Sequence, residues 1–257
     1  NFSSHTGFST LIGNEIESSL SYILSQRAPN SSELFSDGLH HSLATIEYGD
    51  LSLSKETTHK LLMSLSKPNG SFTGSLEPYL AKTFNYIFIE PKRLDQTIRG
   101  AFPVWEYDAT DAFLWGVDLN AKIDFNNQFN FQISASYIYA QDILNDSPII
   151  SIPPFNSIQR LNYTSKNKKW DFQLANHYVS KQNRFPDNNF NYSVIENGTF
   201  QSKLVDISST PETYHKLDLI FSLYLNKFTK SGSQLRFFVQ NITNSDYRNY
   251  LNRMRYY

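Results

Sequence analysis

The 257-residue sequence predicts an all-β protein, an antiparallel transmembrane β-barrel represented here by a segment of about ten strands. Three observations carry this reading. Apolar and polar side chains alternate with a period of two over runs of about 11–13 residues, roughly the length of a tilted strand crossing a bilayer. Short turns and long polar connections alternate along the chain, as turns on one side of a membrane and loops on the other would. Aromatics make up 15% of the residues, with 20 Phe and 16 Tyr, and charged residues only 18%, below the roughly 25% of ordinary soluble domains.

The elements follow in order. After a turn near Gly13, Leu20, Tyr22 and Leu24 alternate with serines. Leu61, Met63 and Leu65 lead into Lys67-Pro68-Asn69-Gly70, a strong turn signal. Phe72 to Ile89 reads as one long, bulged strand. The clearest hairpin runs from Phe113 to Tyr139. Phe113, Trp115, Val117, Leu119, Ala121, Ile123 and Phe125 share one face, with Gly116, Asp118, Asn120, Lys122 and Asp124 on the other. Beyond Asn126-Asn127-Gln128 the alternation resumes: Phe129, Phe131, Ile133, Ala135, Tyr137 and Tyr139 against Asn130, Gln132, Ser134 and Ser136. A helix would need apolar residues three and four apart, and the polar positions forbid that. Aromatics near both strand ends, with aliphatics between, match interfacial girdles around an apolar band.

Leu161 and Tyr163 precede a turn at Lys166-Asn167-Lys168-Lys169, and Trp170, Phe172, Leu174 and Tyr178 follow it. Leu217 to Leu225 alternates with Asp218, Ser222 and Asn226, and a lysine-flanked turn near Gly232 leads to Leu235, Phe237 and Val239. The long connections are expected at residues 26–55, 90–111, 141–156, 180–213 and after Asn241. Structureless loops of that length are uncommon in compact soluble domains.

Composition excludes several classes. The net charge of −1 offers no field for nucleic acid. The lack of cysteine removes disulfides and thiolate chemistry. No apolar run approaches the ~20 residues of a membrane helix, and the mean hydropathy of −0.44 fits strands whose two faces cancel. No phosphate-binding glycine loop, nucleophile elbow or zinc-protease motif occurs.

Arg27-Ala28-Pro29-Asn30-Ser31-Ser32-Glu33-Leu34-Phe35 resembles a segment in the barrel of the TonB-dependent receptor family. Asp37-Gly38-Leu39-His40-His41, Glu47-Tyr48-Gly49-Asp50 and Leu53 with Glu56 continue the likeness. So do Tyr86-Ile87-Phe88, the run from Gly100 to Tyr107, Ala112 with Gly116, Ile152-Pro153-Pro154, and Asn241-Ile242-Thr243-Asn244 with Tyr247. These matches span almost the whole chain in the family's order. The resemblance implies an outer-membrane receptor of a Gram-negative bacterium that imports a scarce nutrient: a ferric siderophore, haem or a metal ion, with cobalamin and glycans also open. It implies no enzyme activity and no cofactor. The partners it implies are membrane lipid, a plug domain, the TonB complex and a small metal chelate or metal ion. The family's barrel has about 22 strands, of which this chain would begin near the twelfth. Tyr257 is preceded at alternate positions by Arg255, Arg253 and Leu251, which reads as a loop or a strand start. We therefore expect residues 1–257 to be a partial barrel domain, with signal, TonB box, plug and closing strand outside it.

Within this frame the site candidates are few. His40 and His41, with Glu33, Asp37 and Glu47 nearby in sequence, have side chains that suit a divalent metal; the plainer reading is a solvated loop. Arg27 and Arg184 are candidate ligand contacts, because a guanidinium grips carboxylate or phosphate bidentately. Arg99, Arg160 and Arg236 have the same chemistry, and lumen solvation or wall ion pairs would account for any of them. Trp105 and Tyr107, with Phe102, Phe185 and Phe190, fall in predicted loops and could stack on a ligand or simply pack. Asp108 and Asp111 have no partner base or nucleophile for catalysis. The triplets at Asn162 and Asn197 are what an Asn- and Ser-rich chain produces by chance. Three rival readings are a passive porin-like barrel or adhesin, a barrel-borne outer-membrane hydrolase, and a soluble lectin-like sandwich.

Overall fold

The computed structural model describes residues 2–13, 15–206, 209–225 and 232–253. In chain order the elements are β1 Ser3–Ile12, β2 Ile16–Arg27, α1 Ser31–Phe35, β3 Asp37–His40, β4 Thr45–Tyr48, β5 Glu56–Lys67, β6 Phe72–Thr97 and β7 Gly100–Asp124. Then come β8 Phe129–Asp142, β9 Ser147–Pro148, β10 Asn156–Thr164, β11 Trp170–Val179, β12 Phe190–Glu196, β13 Thr199–Val205, β14 Tyr214–Tyr224 and β15 Gln234–Val239. Ten strands make one antiparallel path, β1-β2-β5-β6-β7-β8-β10-β11-β14-β15, and β3, β4 and β9 bring the sheet to 13 strands. It is open, a section of barrel wall. The ten strands and five hairpins expected from the alternation are this path. The lysine-flanked turn after Leu225, up to Ser231, and the last residues, Met254 to Tyr257, lie outside the described residues.

Directly paired residues on neighbouring strands point to one side of a sheet, so the register shows what each face presents. One row runs Phe72–Ile123–Phe131–Leu161–Leu174–Leu219–Val239 across seven strands, entirely apolar. Nearer the short-turn end, Phe129–Tyr163–Phe172–Phe221–Phe237 is wholly aromatic. Nearer the long-loop end, Tyr22–Leu61–Leu80–Trp115–Tyr139 forms the opposite margin. These rows put Tyr22, Phe72, Trp115, Ile123, Phe129, Leu161 and Phe237 on the surface. A belt of aliphatics between two aromatic margins is what a lipid-facing wall requires.

The other face is polar. Thr73, Lys122, Gln132 and Arg160 form one row, and Asp124, Asn130, Asn162 and Gln173 another. Asn162 Nδ2 donates to Asn130 Oδ1 at 2.8 Å, and Gln173 Nε2 to Asn162 Oδ1 at 2.7 Å, an amide ladder that satisfies its own polar groups.

The structure corrects one stretch. Residues 90–111 are not a loop: β6 and β7 run on together to a tight turn between Thr97 and Gly100, as strands of 26 and 25 residues. Pro91 and Pro103 each lack an N–H donor, yet the ladder absorbs them. A register shift lies between Pro91 and Arg93, as expected where an N–H donor is missing. The bulge expected in β6 lies between Thr83 and Tyr86, where Asn85 takes a positive φ of 53°. It marks the passage from wall to extension.

Candidate functional site

The candidate site lies at the end of the sheet that carries the long connections. The first, after β2, opens on a capping box: the Asn30 side chain accepts from Glu33 N at 2.9 Å, and the Glu33 carboxylate from Asn30 N at 2.8 Å. This fixes the short α1. The same carboxylate accepts from Arg27 Nη1 at 2.9 Å, while Arg27 Nε donates to Glu56 Oε2 at 2.6 Å. Those hydrogen bonds, from Glu56 first and Glu33 second, push the Arg27 pKa still higher. The other Glu56 oxygen accepts from Ile87 N at 2.7 Å, just past the bulge. Arg27 thus ties β2, α1, β5 and β6 together.

The loop then reaches past β5 and β6. Its strand β4 pairs in parallel with the β7 extension, Ile46 opposite Val104 and Glu47 opposite Trp105. Ile46, Val104 and Trp105 are buried. Glu47 is buried too, and it accepts from Arg253 Nη1 at 2.5 Å. The Arg253 guanidinium lies 4.9 Å from the Trp105 ring centroid, a cation–π distance. The Trp105 indole N–H is buried with no acceptor among the described residues. Nearby, burial and then the negative charge of Glu47 raise the Tyr107 pKa.

A cavity of about 530 Å³ lies against the side of the β6–β7 extension that carries Glu90 and Asp108. Glu90, Lys92, Asp108 and Thr110 line it, closed over by residues around Asp142, Ile149 and Phe185. Its size falls within the range of small-ligand sites. Lys92 pairs with Glu90 and, at 3.8 Å, with Asp108. Burial alone would lower its pKa, but these carboxylates more than offset that and hold it charged. Asp142 accepts from Thr110 Oγ1 at 2.6 Å, Leu144 N at 2.9 Å, and Asn145 N and Nδ2 at 3.1 and 2.8 Å. That turn folds the β8–β10 connection onto the cavity.

The sequence candidates fall in different places. Trp105 and Tyr107 sit in the β7 extension, not in a loop, and Arg27 is paired with two carboxylates. Arg184 lies over the Tyr139 ring, 3.6 Å from its centroid, and donates to Gln141 Oε1. His40 and His41 are exposed, and His40 Nδ1 meets Ser42 Oγ at 3.2 Å. Glu33 and Glu47 are committed elsewhere. No group of three His, Asp or Glu among the described residues is placed to hold a metal. Asp108 and Asp111 are not brought together: Asp108 faces Lys92, while Asp111 Oδ1 accepts from Asn85 N at 3.2 Å. Lys92, Asp142 and Arg253 were not legible as site residues, and Glu47 was named only as a neighbour of the histidines. Only Asp142 carried a local signal, an Asp three residues before Asn145 in a turn-forming stretch.

The family model described as TonB dependent receptor-like, beta-barrel matches residues 13–250. No curated protein matches the chain. Among solved structures it is similar to the copper transporter OprC, with a TM-score of 0.74 and 16% identity, over 97% of this chain and 34% of that one. It is similar to the siderophore receptor PirA from Pseudomonas aeruginosa, at 0.65 and 13%, over 96% of this chain and 39% of that one. It is also similar to the FrpB iron transporter from Neisseria meningitidis (F3-3 variant), at 0.59 and 11%, over 97% of this chain and 36% of that one. The chain thus spans a little over a third of the length of these structures. At such identities the likeness establishes the fold, and the family match over residues 13–250 establishes the lineage: the chain belongs to the TonB-dependent receptor β-barrel family.

Proposed function

We propose that this chain forms part of the wall and ligand-gathering end of an outer-membrane receptor that imports a scarce nutrient, a ferric siderophore, haem or a metal ion. The observation that carries the reading is the division of one sheet into an apolar outer wall and a polar inner face, with an ordered, cavity-bearing end built from the long connections. Long loops capture the ligand, the inner face offers water and hydrogen bonds along the conduit, and a plug domain worked by the TonB complex gates passage. The step is binding and gated transfer, without covalent chemistry. The solved relatives' names, a copper transporter, a siderophore receptor and an iron transporter, support a metal or metal chelate as cargo.

Among the candidate residues, the Trp105 indole N–H, Tyr107, His40 and His41 meet the ligand, because a buried donor without an acceptor is filled when a ligand oxygen arrives. Arg27 holds the loop that presents them, and Arg184 belongs to the outer rim. The test is growth and uptake in a host lacking the gene, complemented with the full-length receptor. Sources are a ferric siderophore, haem, and zinc or copper salts, with and without the proton-motive force. One source should be taken up only with the receptor present and the membrane energised. Uptake that survives de-energisation would make the barrel a passive pore and overturn the proposal.

A further inference from the structure

The cavity against the β6–β7 extension continues the inner face of the wall. Phe88 pairs with Asp108 across the ribbon, and Glu90 and Thr110 are the next alternate residues on their strands, so the four share a face. Thr110 alternates in turn with Ala112 and Leu114, on the side of β7 away from Phe113 and Trp115. Trp105 and Tyr107 alternate with Asp108 and belong to the other face of the ribbon. The cavity is therefore a separate place from the Trp105 cluster, at the mouth of the polar conduit.

Its lining is unbalanced in charge. Among the described residues that line it, Glu90, Asp108, Asp142 and Asp187 are carboxylates, and Lys92 is the one cation. Most of these carboxylates are committed. Asp142 takes its hydrogen bonds from Thr110, Leu144 and Asn145. Glu90 is paired with Lys92, and Asp187 Oδ1 accepts from Asn189 N at 3.2 Å. Asp108 is held loosely. Its side chain is 53% exposed, and the Lys92 ammonium stands 3.8 Å from its Oδ2, beyond hydrogen-bond length. Its Oδ1 accepts from Ala109 N at 2.8 Å.

The charges around the edge cancel. Glu106, which also bears on Lys92, is paired with Arg93. Asp146 accepts from the amide nitrogen of Gln141, and Arg184 donates to its oxygen. An anionic group entering the cavity meets carboxylates in excess. An ammonium group meets Asp108, with the rings of Phe88 and Phe185 in the same lining to supply cation–π attraction.

We infer that this cavity binds the cationic arm of the cargo, a metal chelate ending in an alkylammonium group, with Asp108 as its ion-pair partner, and that it discriminates against chelates whose arm is anionic. The inference rests on the receptor reading above and names the charge class of its cargo.

The test titrates the full-length receptor in detergent with one chelate core in three charge forms. These are ferric desferrioxamine B, whose arm ends in an ammonium, its neutral N-acetyl derivative, and its N-succinyl derivative, which ends in a carboxylate. Affinity should fall about ten-fold at each step, the order of one charge contact at a partly solvated site. Asp108→Asn should weaken the ammonium form about ten-fold, leave the acetyl form unchanged and strengthen the succinyl form. Asp108→Glu should keep the native order. So should Asp95→Asn, near the far end of the ribbon and paired with Arg93. Equal affinity for the three forms overturns the inference, and so does an equal loss of all three in Asp108→Asn. An Asp95→Asn effect as large as that of Asp108→Asn shows a general charge effect and overturns it too. If none of the three binds a receptor that still takes up another source across an energised membrane, the cationic arm is overturned and the receptor reading stands. Absence of energised uptake from every source overturns that reading itself.

Discussion

Arg253 and Glu47 stand 206 residues apart in sequence, and Arg253 Nη1 donates to Glu47 Oε1 at 2.5 Å. The contact closes the loop end. Glu47 is held in β4, β4 rides on the β7 extension, and Arg253 reaches in from beyond β15 to cover Trp105. Removing the guanidinium leaves a buried carboxylate with no charged partner, only the Thr45 hydroxyl at 3.5 Å. The full penalty for an unpaired buried charge is about 3–5 kcal/mol, and the partial exposure of Arg253 reduces it. Arg253→Ala should therefore destabilise the β4–β7 pairing locally by about 1–3 kcal/mol. Amide exchange of Ile46, Glu47 and Tyr48 should accelerate about ten-fold or more, while exchange in β10 and β11 stays unchanged. Unchanged protection in β4 would show that the pair does not hold the loop.

Asp142 gives the loop end a pH dependence. Burial by itself would raise its pKa, but hydrogen bonds from Thr110, Asn145 and Leu144 outweigh burial and bring it below the usual carboxylate value. The stabilisation is therefore fully present above the unfolded value of about 3.9 and is lost as pH falls through the folded one. Limited proteolysis of the full-length receptor should show residues 143–155 protected at neutral pH and cleaved under strongly acidic conditions. In Asp142→Asn the amide keeps one acceptor and loses the charge, so the same segment should be cleaved at neutral pH. Equal resistance of the variant would sink this account of the turn.

The orientation of the wall predicts a contrast between two arginine substitutions. Leu174 lies in the apolar outward row and Gln132 in the polar one. Leu174→Arg should cost about 2–4 kcal/mol in a bilayer, the range for a cation facing lipid near the midplane. Gln132→Arg should stay within about 0.5 kcal/mol. Urea unfolding of the full-length protein in lipid vesicles reads both, and comparable costs would mean that the faces are assigned wrongly.

Gly49 is required by close approach, not by backbone freedom. Its N–H donates to Ser36 O at 2.7 Å, and a Cβ there would lie 2.5 Å from the carbonyl carbon of Leu34 and 2.7 Å from its oxygen. Those atoms are backbone of α1, fixed by the capping box. Gly49→Ala should push α1 away at a cost of about 1–3 kcal/mol, seen as proteolytic nicking between Ala28 and Lys55. A crystal structure of the variant with the Gly49–Ser36 hydrogen bond intact would contradict this.

Local pattern reached the wall and stopped at the site. The strand pair Phe113–Tyr139 was legible because side-chain direction alternates with every residue, and its register follows from a short turn anchored by Asn126, whose Oδ1 accepts from Gln128 N and Phe129 N. The β6–β7 extension was misread because Pro91, Pro103 and the charges between them look like loop composition. In the fold each prolyl residue costs one donor, and the rest of a long ladder carries the pairing. Arg27, Trp105 and Arg184 were legible as residues able to bind something. Whether they meet a ligand, a carboxylate or a neighbouring ring depends on groups 6 to 148 positions away, as Arg27 with Glu33 and Arg253 with Trp105 show.

The amino-acid order by itself settled the faces of the wall, the short turns between its hairpins, and the family. Each is written in neighbours two residues apart or in motifs a few residues long. Tertiary structure alone decided that β4 would lie parallel to β7, that Glu47 would find Arg253, and that a cavity would form against the β6–β7 extension. Those contacts join segments the chain separates widely, and only the ladder that fixes every strand against the next brings them within hydrogen-bond reach.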